Sequence, residues 1–99
     1  MDKELLDKLR LLKSEASKYF DFQQVFLFGS YAKAENNKSS DIDVAFIVDD
    51  ISDDFWNLSA KLFEIVDKID NRIEPLILSK FSDNSGFTEN VIKNGILIN

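Results

Sequence analysis

From Leu5 onward, apolar side chains at Leu5, Leu6, Leu9, Leu12, Ala16 and Phe20 recur every third or fourth position, with Lys8, Arg10, Lys13, Glu15 and Lys18 between them. That period predicts an amphipathic helix over Leu5 to Phe20. The segment Gln24 to Phe28 abandons it: Val25, Phe26, Leu27 and Phe28 are apolar without a break and the run stops at Gly29. A short β-branched and aromatic run of this kind predicts a central strand, covered on both faces. Between Asp41 and Val48 the acids Asp41 and Asp43 alternate with Ile42 and Val44 before the segment turns wholly apolar. Alternation at one end predicts a strand with two carboxylates on one face.

The second half repeats the theme. Ser52 followed by Asp53 and Asp54 predicts a helix opening, with a hydroxyl cap and acids at the positive end of the dipole. Its body runs on Phe55, Leu58, Leu62, Ile65 and Ile69. Arg72 to Leu78, with Ile73, Leu76, Ile77 and Leu78 around Glu74 and Pro75, predicts a third strand, and Pro75 puts it at a sheet edge or a bulge. Phe87 to Asn94 predicts a last helix opened by Thr88 and closed by Gly95, with Ile96 to Ile98 as a short terminal strand or tail. With a short helix expected after Gly29-Ser30, the chain reads as an α/β domain: a small mixed β-sheet with helices packed on it.

Composition narrows what such a domain can do. A chain of 99 residues is expected to form a single domain over residues 1–99, and 44% hydrophobic residues with nine Phe suffice for a packed core. Twelve Lys plus Arg against eighteen Asp plus Glu gives a net charge of -6, the wrong sign for broad nucleic-acid binding. The chain has no Cys and no His. Thiol and imidazole chemistry are therefore excluded, and an enzyme built from this chain runs on carboxylates and hard cations such as magnesium. No apolar run approaches the ~20 residues of a membrane span, and Met1 to Lys8 is charged rather than signal-like, so a cytoplasmic protein is expected.

The chemistry concentrates in Phe28-Gly29-Ser30-Tyr31-Ala32-Lys33-Ala34 and in Ser40-Asp41-Ile42-Asp43-Val44. A glycine and a serine directly after a buried strand offer free backbone N–H groups and a hydroxyl at one point, as phosphate cradles do. Asp41 and Asp43, two positions apart on the next strand, lie roughly 7 Å apart along it on one face. Adjacent carboxylates repel and are costly to desolvate, so their placement beside a phosphate cradle is best explained by divalent cations. Two-metal transfer reactions commonly use a third carboxylate, for which Glu74 is the candidate. Lys33, Lys38 and Arg72 are the nearby cations, although solvated lysines are the default in a polar stretch. Each feature alone has a plainer reading. A Gly-Ser step is more often a capped turn, an isolated Asp-x-Asp is more often surface acid, and an acid beside an edge-strand proline guards against edge pairing. Trp56 and the Phe residues are read as core and interface rather than as a base-stacking platform.

The combination resembles the nucleotidyltransferases of the polymerase-beta superfamily, and most closely their minimal prokaryotic members. The shared pattern is a Gly-Ser opening a short helix, an Asp-x-Asp on the next strand and a later acid on a third. Gly29, Ser30, Asp41, Asp43 and Glu74 match it in order. The resemblance implies transfer of a nucleoside monophosphate, AMP from ATP foremost, to a hydroxyl. It implies Gly29, Ser30 and Lys33 at the phosphates, and Asp41, Asp43 and Glu74 as catalytic residues and ligands of Mg2+ in a two-metal site. It further implies a small helical HEPN-domain toxin as partner, with this chain as the antitoxin that adenylylates a partner tyrosine. A contact-only antitoxin, and the catalytic half of a two-part small-molecule transferase, are the alternatives. A homo-oligomer is also compatible. Two positions depart from the pattern: Ala34 stands where a second glycine is common, and Glu74 where Asp is common.

Overall fold

The computed structural model describes residues 2–33, 41–51, 54–81 and 85–99. The elements run α1 (Lys3–Ala16), β1 (Gln24–Phe28), β2 (Ile42–Val48), α2 (Phe55–Ile69), β3 (Ile73–Ser79), α3 (Phe87–Asn94) and β4 (Ile96–Leu97). The four strands form one mixed sheet in the order β3-β2-β1-β4. β1 pairs antiparallel with β2 and β4, and β3 runs parallel to β2. The parallel pair needs a crossover, and α2 supplies it. β1 and β2 are central, and β3 takes the edge, where the proline at position 75 is tolerated.

Strand alternation sorts the side chains onto two faces. Val25, Leu27, Ile42, Val44, Phe46 and Ile73 point to one, where they meet Leu5, Leu9 and Leu12 of α1 and Leu62, Ile65 and Val66 of α2. Phe26, Ala45 and Ile47 point to the other, where α3 places Val91 and where Phe28 and Leu78 complete a smaller cluster. The first face is roofed by two helices. Among the described residues the second carries α3, over β1, and is the face that bears Asp43 and Glu74.

Several local expectations change. α1 ends at Ala16, and residues 17–19 form a turn in which the Ser17 hydroxyl donates to the Ser14 carbonyl at 2.7 Å. Phe20 therefore lies beyond the helix but still packs on the core, stacked at 5.2 Å from Phe22 and 5.8 Å from Phe46. The N-cap of α2 is Asp54, which makes no capping bond; Ser52 and Asp53 lie outside the described residues. α3 is opened by Gly86 at φ 82°, and Thr88 sits buried within the helix instead of capping it. Gly95 closes α3, as expected. No short helix follows Gly29-Ser30 among the described residues: 29–33 form a turn closed by a bond from the Lys33 N–H to the Gly29 carbonyl at 3.2 Å. Trp56 is 80% exposed, so it is not a core residue.

One polar cluster ties these elements together. Asp70, at the end of α2, accepts bonds from Lys8 Nζ of α1 at 3.0 Å and from Arg72 Nε and Nη2 at 3.0 and 2.7 Å. It also accepts the Arg72 backbone N–H at 3.0 Å. Arg72 Nη1 donates to the Tyr31 hydroxyl at 3.2 Å, and the Arg72 carbonyl accepts the Ile42 N–H at 2.8 Å. Arg72 beside it, and then Lys8, hold the Asp70 carboxyl well below the usual carboxylate range. A carboxylate depressed in this way stabilises the fold above its unfolded value and loses that contribution as pH falls below it. Asp70→Ala is expected to cost about 2–3 kcal/mol at neutral pH, the scale of charge-assisted bonds to a buried acid. Urea unfolding of both proteins should show the difference shrink on acidification to about pH 3; a pH-independent difference would assign the effect to packing.

Candidate active site

β1 ends at Phe28, and the chain turns immediately. Gly29 adopts φ +73°, in the left-handed region, and a Cβ on it would lie 2.3 Å from Asp43 Oδ2. Only glycine meets both demands. The turn is thus pressed onto the strand that carries the acids. Ser30, Tyr31 and Ala32 follow, half-buried, and Lys33 is exposed.

Across the sheet, Phe28 of β1 pairs with Asp43 of β2, and Asp43 pairs with Glu74 of β3. Paired residues share a face, so Phe28, Asp43 and Glu74 form one lateral row at this end of the sheet. Asp41 precedes β2 and is exposed, Asp43 is half-buried, and Glu74 is exposed on the edge strand. Burial pushes the Asp43 carboxyl above its ordinary value, and the charges of Glu74 and then Asp41 push it further. The structure therefore brings Gly29, Asp43 and Glu74 together and keeps Asp41 within electrostatic reach. Among the described residues no three acids are drawn into a ready-made metal cage. Ala34 and Lys38 lie outside the described residues.

A divalent cation fits these residues. The donors are hard carboxylate oxygens, His and Cys are absent from the chain, and the charges that act on the half-buried Asp43 among the described residues are those of Glu74 and Asp41. Sequence reasoning counted Arg72 among the cations near the site; its guanidinium is engaged with Asp70 and Tyr31. It also missed Tyr31 as the link between the glycine turn and the start of β3. The signal was its place directly after Gly29-Ser30.

An acid row beside a glycine turn, at one end of a mixed sheet, is the arrangement that the structure presents. The family model Polymerase beta, Nucleotidyltransferase matches residues 11–99, and the chain belongs to that family. Three solved structures share its fold. One is a Sulfolobus solfataricus protein described as a nucleotidyltransferase, with TM-score 0.62 and 22% identity, covering 93% of this chain and 77% of that one. The second is a toxin–antitoxin crystallised with AMP-PNP, with TM-score 0.63 and 25% identity, covering 94% of this chain and 71% of that one. The third is a mutant of the toxin–antitoxin MntA-HpeT, with TM-score 0.60 and 22% identity, covering 92% and 71%. No curated protein matches the chain. Among the described residues no helix is long and apolar enough to cross a membrane.

Proposed function

We propose that this nucleotidyltransferase transfers AMP from ATP to a tyrosine hydroxyl of a small helical HEPN-domain toxin, and so acts as an antitoxin. The observation that carries the reading is the seating of Gly29 against Asp43, which sets a phosphate-binding turn beside an acid in register with Glu74. The toxin–antitoxin relative crystallised with AMP-PNP supports the nucleotide and the partner.

In this reading the Gly29 backbone and the Ser30 hydroxyl bind the β- and γ-phosphates, with Lys33 at their outer edge. Asp41 and Asp43, with Glu74, would hold magnesium, which supplies charge neutralisation at the triphosphate and at the reacting oxygens. Glu74 accepts the proton of the attacking hydroxyl. The acceptor oxygen bonds to the α-phosphorus as the bond to the bridging oxygen breaks, and pyrophosphate leaves.

Exposed aromatic surface supports a protein partner. Trp56 is 80% exposed, Phe81 73% and Phe63 49%, and such residues on a small acidic domain suit a basic partner. Co-expression with the helical protein encoded beside it, followed by intact-mass measurement, tests the whole reading. We expect the partner to gain the mass of one adenylyl group, AMP less one water, and the gain to disappear with Asp43→Asn. A stable complex with an unmodified, neutralised partner would establish neutralisation by contact instead.

A further inference from the structure

Arg72, in the short link between α2 and β3, joins the three segments of the candidate site. Its Nη1 donates to the Tyr31 hydroxyl of the glycine turn at 3.2 Å, and its carbonyl accepts the N–H of Ile42, the residue between Asp41 and Asp43, at 2.8 Å. Glu74 follows two positions later. The guanidinium is itself fixed: Nε and Nη2 lie on the two oxygens of the nearly buried Asp70 carboxylate at 3.0 and 2.7 Å, and Lys8 Nζ of α1 holds that carboxylate at 3.0 Å. A planar guanidinium held at two nitrogens has its third placed as well, so Asp70 aims Nη1 at Tyr31.

We propose that Arg72 is a positioning residue, which through Tyr31 holds the glycine turn in its binding position beside the acids of β2 and β3. The inference rests on the nucleotidyltransferase reading and adds to it the contact that keeps the phosphate turn in place. Anchorage is the first argument. Gly29 is pressed onto Asp43 on one face of the sheet, while Tyr31 packs on the cluster beneath α1 and α2 on the other, so the turn straddles the sheet end. The backbone bond from the Lys33 N–H to the Gly29 carbonyl closes the turn on itself. The Tyr31 bond fixes it to β3. Shared geometry is the second argument. Because Arg72 also pairs with Ile42, a shift of the turn is coupled to the strands that carry the acids, and all three segments keep one spacing. A turn that visits its binding position only part of the time binds in proportion to that fraction. Arg72 in this role touches no phosphate, since Asp70 already matches its charge.

The test compares variants of the full chain. Tyr31→Phe removes the hydroxyl and keeps the ring on the core, whereas Arg72→Lys keeps the charge but lacks the fork that spans Asp70 and Tyr31. Asp2→Ala, which removes the side-chain cap of α1, is the control for lost stability alone. Calorimetry with magnesium present measures inorganic tripolyphosphate binding, and thermal melting measures stability. We expect Tyr31→Phe and Arg72→Lys each to weaken binding by about fivefold, the double variant to bind no more weakly than Arg72→Lys, and Asp2→Ala to melt lower yet bind as the wild type does. Unchanged binding in both single variants would overturn the proposal. Losses that multiply in the double variant, or that Asp2→Ala reproduces, would also overturn it and leave Arg72 a purely structural residue. Should Arg72→Lys fail to fold, Tyr31→Phe decides alone against the control. A wild type that binds no tripolyphosphate removes the nucleotidyltransferase reading itself, an outcome distinct from failure of the positioning role.

Discussion

Replacing Asp43 with Asn is expected to abolish nucleotidyl transfer while making the free protein more stable. Both effects have one origin. The Asp43 carboxylate is half-buried against Gly29, and its proton affinity is raised first by that burial and then by Glu74 and Asp41. A carboxyl raised on folding penalises the folded state once pH exceeds its folded value, and that penalty disappears as pH falls through this value to below the ordinary 3.8. Neutral pH lies on the penalised side. Removing the charge should therefore raise the melting midpoint of the metal-free fold. Loss of a metal ligand withdraws several kcal/mol from the transition state, so transfer should fall by on the order of a thousandfold. Thermal melting with and without magnesium checks the link: added magnesium should raise the midpoint of the wild type and leave that of Asp43→Asn unmoved. Protons compete for the same oxygens, so magnesium binding should strengthen as pH rises through the range of Asp43. A variant that melts lower than the wild type and still responds to magnesium would sink the assignment.

Gly29→Ala is expected to damage both stability and transfer. The left-handed conformation at φ +73° costs an alanine about 1–2 kcal/mol, and the new methyl group would lie 2.3 Å from Asp43 Oδ2. Either the turn or the Asp43 side chain must shift. We expect a total loss of about 2–4 kcal/mol and a fall in transfer of at least a hundredfold, with Gly29→Val worse in both. Gly86 supplies the control, since it has φ +82° but, among the described residues, nothing within 4 Å of the position of its Cβ. Gly86→Ala should show the conformational cost alone, about 1–2 kcal/mol. Ser30→Ala, which removes one hydroxyl and adds no strain, should weaken transfer by about tenfold with the fold intact. Chemical denaturation of the three alanine variants, alongside their transfer rates, separates the two costs. Equal destabilisation at Gly29 and Gly86 would mean that the contact with Asp43 carries no energy.

The strands and helices, and their order along the chain, follow from local patterns of apolar and polar residues. Periods of two and of three to four are local properties: the run Val25 to Phe28 reads as a strand covered on both faces, and Leu62 and Ile65 as part of a buried helical stripe. The motif was legible for the same reason, since Gly29-Ser30 directly follows the strand and Asp41 and Asp43 alternate with apolar residues. Helix openings were less legible. Thr88 is a good capping residue by type, but its neighbours bury it, and Gly86 in the left-handed conformation opens α3 instead. The expected helix after Gly29-Ser30 is a single turn in the described residues.

The remaining features arise from pairings between residues far apart in the chain. Register aligned Phe28, Asp43 and Glu74 in one row, and no local pattern encodes register between strands separated by a helix. The same pairing pressed Gly29 onto Asp43, which turns a flexible residue into an obligatory one. Long-range packing also engaged Arg72 with Asp70 and Tyr31, and set α3 over β1. Residue types and spacing thus identified the chemistry, while the sheet and its crossover determined which of those residues meet.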